Sequence, residues 1–124
     1  PAAGPAREVL IADDNADALS SLALLLELAG HRVHTAHDGR AALVAAEHVR
    51  PDVAILDIGM PGLNGYQVAR EIRAQPWGGT VLLIALTGWG QQDEQRQARE
   101  AGFDHHCTKP TDPQALYALL ASRH

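Results

Sequence analysis

Aromatic side chains are scarce, at 4% of the chain. The 46% of hydrophobic residues must therefore build a core from Leu, Ile, Val and Ala, which suits helices packed on a sheet. Cysteine occurs once, as Cys107, which excludes an internal disulfide and leaves a small apolar residue as its expected role. No apolar run approaches the roughly 20 residues that a membrane span requires. Basic residues are outnumbered, 10 against 15 acidic ones for a net charge of -5. That balance argues against binding nucleic acid or an anionic membrane through bulk electrostatics. No Gly-rich loop with a lysine follows the first apolar run, and Gly59, Gly62, Gly65, Gly88 and Gly90 form no dinucleotide fingerprint, so a nucleotide cofactor is not expected. A signal-peptide pattern and an initial Met are both missing, so the expected compartment is the cytoplasm and the chain reads as a piece of a longer protein.

What is present fits one domain of 124 residues. Residues 1–7 have linker composition, residues 8–122 carry the folded pattern, and residues 123–124 are a tail. Short apolar runs alternate with longer amphipathic stretches five times, the pattern of strand–helix units around a parallel sheet. Val9–Ala12, Val53–Leu56 and Val81–Leu86 are continuous, as expected of central strands covered on both faces. His31–Ala36 alternates and reads as an exposed edge strand, and Phe103–Cys107 is the weakest strand of the five. Leu19, Leu22, Leu26 and Ala29 share a helical face closed by Gly30; a second helix spans Gly39–Val49, and Tyr66, Ala69 and Ile72 mark a third. The fourth helix, Gln91–Ala101, offers the core no large apolar residue and should be held weakly. Asp112-Pro113 caps a last helix anchored by Leu116, Leu119 and Leu120.

In an open parallel sheet, ligands bind at the carboxyl ends of the strands near the reversal of strand order. Polar residues at those ends are Asp13 and Asp14 after the first strand, Asp57 after the third, Thr87 after the fourth and Lys109 after the fifth. Three carboxylates about 5 Å apart repel at roughly 3 kcal/mol per pair with an effective dielectric near 20. A hard divalent cation, Mg2+ or Mn2+, answers that need with oxygen ligands, and Lys109 adds a fixed positive charge. The same set suits phosphoryl transfer, where catalysis is mostly positioning and charge neutralisation. Asp57 is the expected nucleophile. Asp13 and Asp14 are expected to hold the metal, one directly and one through water, while Thr87 and Lys109 contact phosphoryl oxygens.

The segments Ile11-Ala12-Asp13-Asp14-Asn15, Leu56-Asp57-Ile58-Gly59-Met60-Pro61-Gly62, Leu86-Thr87-Gly88 and Lys109-Pro110 make the chain resemble the response-regulator receiver domain of two-component signalling, over essentially residues 8–122. The resemblance implies an α/β, doubly wound, flavodoxin-like fold with strand order 2-1-3-4-5. It also implies Mg2+ on Asp13, Asp14, Asp57 and the Gly59 carbonyl, phosphorylation at Asp57, and a cis peptide before Pro110 that aims Lys109. The implied partner is a histidine kinase or histidine phosphotransfer domain. Thr87-Gly88-Trp89-Gly90 and Gly102-Phe103-Asp104-His105-His106 are similar to receivers fused to hybrid sensor histidine kinases. Where many receivers carry Tyr or Phe, this chain has His106, which is expected to act with Thr87 in switching and to bring pH sensitivity.

Other readings meet specific obstacles. A hydrolase of the haloacid dehalogenase type needs a second aspartate two residues after the nucleophile, where Gly59 stands. A receiver-like domain that only binds partners usually lacks the nucleophile, the metal carboxylates or the lysine. In a flavin carrier the phosphate would meet Asp13 and Asp14 and be repelled. His31, His34 and His37 are not expected to form a metal site, because strand alternation sends His34 to the opposite face. Trp89 could cover the phosphoryl group or pack on the neighbouring helix.

Overall fold

The continuous apolar runs become the inner strands of a five-stranded parallel sheet in a computed structural model that describes residues 6–88 and 92–122. The strands are β1 (Glu8–Ala12), β2 (Arg32–Ala36), β3 (Val53–Asp57), β4 (Leu82–Thr87) and β5 (His105–Thr108), in the order β2-β1-β3-β4-β5. Between and after them come α1 (Ala16–Leu28), α2 (Gly39–Val49), α3 (Gly65–Arg73), α4 (Gln92–Ala101) and α5 (Pro113–Ser122). This is the expected doubly wound fold. The order in which successive strands are added reverses between β1 and β3, whose carboxyl ends bring Asp13 and Asp57 together.

Successive strand residues face opposite sides, so the sheet feeds two cores. Leu10, Ala12, Ala54, Leu56, Leu83 and Ala85 pack against buried residues of α2, α3 and α4. Val9, Ile11, Val53, Ile55, Ile84 and Leu86 pack against α1 and α5. Each fully buried Ile or Leu contributes about 1.5–3 kcal/mol relative to exposure. Both layers are therefore aliphatic, as the shortage of rings requires, with Phe103 as the one buried aromatic side chain among the described residues.

The helix ends follow from local chemistry. Asn15 caps α1 by accepting from the Asp17 and Ala18 amides at 3.1 Å. Gly30, at φ +100°, closes it, with the Gly30 and His31 amides donating to Glu27 and Leu26 carbonyls. Asp112 accepts from the Gln114 amide at 3.0 Å ahead of Pro113, and Leu116 and Leu120 are buried while Leu119 is half-buried. In α3, Val68 joins Ala69 and Ile72 in the core and Tyr66 is half-buried. α4 buries only Ala98 and Ala101, in keeping with a weak hold. Gln91, expected to open this helix, lies outside the described residues, as does Trp89.

Strand boundaries differ from expectation by one or two residues: β1 starts at Glu8, β3 ends at Asp57, β4 runs Leu82–Thr87 and β5 ends at Thr108. β5 starts at His105 rather than Phe103, because Phe103 turns into the core and Asp104 receives the Leu83 amide at 2.9 Å. β2 starts at Arg32, and His31 is buried instead of lying on an exposed strand. His31 Nδ1 accepts the Arg7 amide at 3.0 Å, so that nitrogen must be unprotonated. Burial, followed by the nearby Arg7 charge, holds its pKa below the ordinary 6.5. The unfolded chain therefore takes up this proton first as pH falls. The stabilisation is fully present above pH 6.5 and is lost as pH drops through the lower folded-state value. Urea unfolding of the native chain and His31→Gln between pH 8 and 5 should show a steeper loss of stability in the native chain; equal slopes would contradict this.

Arg73, at the end of α3, ties three segments together. Its guanidinium donates to the carbonyls of Gly102 at 3.0 Å, Gly78 at 2.7 Å and Val81 at 2.8 Å, and pairs with Asp104 at 2.9 Å.

Candidate functional site

Strand tips build the site. Asp13 follows β1 and donates its amide to the Ala36 carbonyl of β2 at 3.1 Å. Its Oδ1 accepts the Asn15 amide at 2.9 Å, so the cap of α1 also braces the first carboxylate. Asp57 is the last residue of β3, opposite Leu86, and its Oδ1 accepts the Gly59 amide at 3.0 Å. Thr87 ends β4, and its carbonyl accepts the Lys109 amide at 2.7 Å. The Lys109–Pro110 peptide is cis.

The carboxylates of Asp13, Asp14 and Asp57 offer oxygens that all lie within 4.8 Å of one another. Asp13 and Asp57 are buried and Asp14 is exposed. Lys109 Nζ reaches between the two buried ones, 3.1 Å from Asp13 Oδ2 and 3.2 Å from Asp57 Oδ2. Burial pushes the Asp57 carboxyl above its ordinary value, against the opposing effects of the Gly59 amide and the Lys109 charge. Burial works against the Lys109 charge too, but the hydrogen bond to Asp13 and the charge of Asp57 outweigh it and raise its pKa. Three carboxylates and one ammonium leave a local charge of about −2, a strong electrostatic demand for a divalent cation in a partly desolvated pocket.

The donor set fits that demand. Hard carboxylate oxygens at a shared point suit Mg2+ or Mn2+. The Thr87 hydroxyl is fully buried and has no hydrogen-bond partner among the described residues, a cost of about 1–3 kcal/mol that an incoming oxyanion would relieve. Gly59 stands exposed beside Asp57, and among the described residues a side chain there would meet only Asp57 Oδ1, at 3.6 Å.

Four of the anticipated side chains thus meet directly, and Thr87 sits at the adjoining strand tip. His106 does not join them. It is exposed on β5, lining a groove of about 460 Å³ with Gln95 and Arg99 of α4 and Leu119 of α5. His34 pairs with Glu8 at 2.8 Å, and His37 is exposed. Cys107 is half-buried, and burial followed by the Asp112 charge raises its pKa, so it stays a thiol at neutral pH. The bracing role of Asn15 escaped the sequence reading, although an Asn two residues after Asp13 and just before a helix is the signal for it.

A family model described as the response regulator receiver domain matches residues 9–121. Protein PilH of Pseudomonas aeruginosa is 32% identical over 112 residues, covering 90% of this chain and 93% of that protein. The virulence sensor protein BvgS of Bordetella bronchiseptica is 40% identical over 117 residues, covering 90% of this chain and 10% of that protein. Among solved structures, the receiver domain of sensor histidine kinase PA1611 from Pseudomonas aeruginosa matches with a TM-score of 0.87 and 33% identity, over 96% of this chain and 98% of that one. That structure has a magnesium ion coordinated in its active site cleft.

Proposed function

Because the chain belongs to the response regulator receiver domain family of two-component signalling, we propose that it accepts a phosphoryl group from a phosphohistidine onto Asp57 and switches shape in response. The observation that carries this reading is the convergence of Asp13, Asp14 and Asp57 within 4.8 Å, with Lys109 bridging the two buried carboxylates. Mg2+, or Mn2+, would be held by Asp13, Asp14, Asp57 and the Gly59 carbonyl, and when bound it supplies neutralisation of phosphoryl charge.

In the proposed step an Asp57 carboxylate oxygen forms the new P–O bond as the P–N bond of the donor breaks. The electron pair leaves with the imidazole, which takes a proton from solvent. Lys109, already beside Asp57 Oδ2, pairs with one phosphoryl oxygen, and the Thr87 hydroxyl donates to another. Those contacts bias a two-state equilibrium. The shift is expected to be largest in α4, which buries only two alanines. The groove over α4, β5 and α5, with His106 in its wall, is the proposed output face. The proposed kinase face is α1, where Leu24 and Leu28 are exposed and a second groove runs from Asp13 and Lys109 along Ser21 and Leu25. Slow attack by water resets the domain, unassisted by any side chain at Gly59.

The proposed receiver unit is residues 8–122, working in the cytoplasm beside a histidine kinase or phosphotransfer domain that could be part of the same polypeptide. It turns over no metabolite. Among the described residues no helix is long and apolar enough to cross a membrane. The test is to mix the chain and Mg2+ with a phosphotransfer domain carrying radiolabelled phosphohistidine. Label is expected to move to the native chain, and not to Asp57→Asn or in the presence of a chelator. Equal label on Asp57→Asn would sink the assignment.

A further inference from the structure

The β3–α3 loop, residues 58–64, is pinned from outside by two glycines. A Cβ on Gly65 would lie 2.7 Å from both the Asp57 carbonyl oxygen and Ile58 Cα, and 3.0 Å from the Asp57 carbonyl carbon. The Gly65 amide also donates to the Ile58 carbonyl at 3.3 Å. At the far end, a Cβ on Gly39, the first residue of α2, would collide with the Leu63 carbonyl oxygen and lie 2.6 Å from Leu63 Cβ. Gly62 and Gly79 differ, since a Cβ at either meets nothing within 4 Å among the described residues. The amino ends of α2 and α3 thus rest on the backbone of the loop that carries Gly59, through contacts that a side chain abolishes.

We infer that Gly65 is a positioning residue for the acidic pocket: it sets the Asp57–Gly59 backbone to the tolerance that Mg2+ demands, while Gly39 fixes the other end of the loop. The inference rests on the reading of that pocket as a cation site. Restoring an ordinary 3.4 Å contact to an alanine at position 65 needs a displacement of about 0.7 Å. Ligand distances in a working metal site hold within about 0.2 Å, and Mg2+ requires near-ideal octahedral geometry at about 2.0–2.1 Å. Ca2+ accepts six to eight oxygens over about 2.3–2.6 Å, so it tolerates such a shift. A backbone carbonyl cannot be removed by side-chain substitution, which makes the glycine behind it the available handle.

The experiment is calorimetric titration of Mg2+ and, separately, Ca2+ into the native chain, Gly65→Ala, Gly39→Ala and Gly79→Ala. Gly65→Ala is expected to raise the Kd for Mg2+ by about 10-fold or more and that for Ca2+ by less than about 3-fold, because of the looser calcium geometry. Gly79→Ala should change neither. Equal weakening of both ions, the result of a merely loosened fold, would overturn the inference, and so would no change in either. Should Gly65→Ala fail to fold, Gly39→Ala carries the test, with the same fall in the Mg2+ to Ca2+ preference expected. A native chain that binds neither ion would remove the cation site itself, a failure seen before any variant is compared.

Discussion

Lys109→Ala should accept phosphate about 10²–10³-fold more slowly than the native chain, the range seen when one preorganised charge-stabilising donor is removed. The ammonium lies 3.2 Å from Asp57 Oδ2 and 3.1 Å from Asp13 Oδ2, so it is in place before any donor arrives and needs no reorganisation. Its loss has a second, opposite effect. Lys109 competes with a metal for the same buried carboxylates, and without it Mg2+ should bind more tightly. A slower rate together with tighter Mg2+ binding separates loss of transition-state stabilisation from loss of the site. Rates with a small phosphodonor at saturating Mg2+, beside Mg2+ titrations, check both effects. An unchanged rate would remove Lys109 from the chemistry.

Arg73→Ala is expected to be the most damaging change remote from the site. Deleting this guanidinium leaves the carbonyls of Gly78, Val81 and Gly102 without their charged donor and removes the ion-pair partner of Asp104, which keeps the Leu83 amide. Hydrogen bonds to charged groups contribute about 1.5–3 kcal/mol each, but water reaches this half-buried cluster, so a net loss of about 3 kcal/mol is expected. With a urea slope near 2 kcal/mol per M, the unfolding midpoint should fall by about 1.5 M. Arg73→Lys should recover only part of this, because an ammonium cannot present a planar fork of donors to several acceptors. A shift no larger than that of a surface substitution would contradict the clasp.

Arg73 also shows where sequence reasoning stops. Its partners lie 5 to 31 residues away, and nothing in the local pattern separates it from a solvated cation in the last turn of a helix. The close approach of Gly65 to Asp57 is invisible for the same reason, since backbone contact between segments leaves no periodicity. The burial of His31 was missed because strict alternation extended the strand one residue too far, whereas the ring serves as an acceptor for the Arg7 amide. By contrast, Val9–Ala12, Val53–Leu56 and Val81–Leu86 were legible as central strands, because a strand covered on both faces has no polar alternation to hide it. Asp13, Asp14, Asp57 and Lys109 were legible because strand ends can be counted, and in a parallel sheet those ends share one edge. α2 was read to the residue at Gly39–Val49, where Asp38 supplies the cap by accepting the Ala41 amide at 2.8 Å. The edge strand β5, with three exposed residues of four, gave the least signal and the largest boundary error.

The most direct test of phosphoryl acceptance at Asp57 is the intact mass of the chain after incubation with Mg2+ and phosphoramidate, beside Asp57→Asn and a metal-free control. A gain of one phosphoryl group in the native chain alone is the expected result. No gain in a native chain shown by titration to hold Mg2+, or an equal gain in Asp57→Asn, would contradict the account.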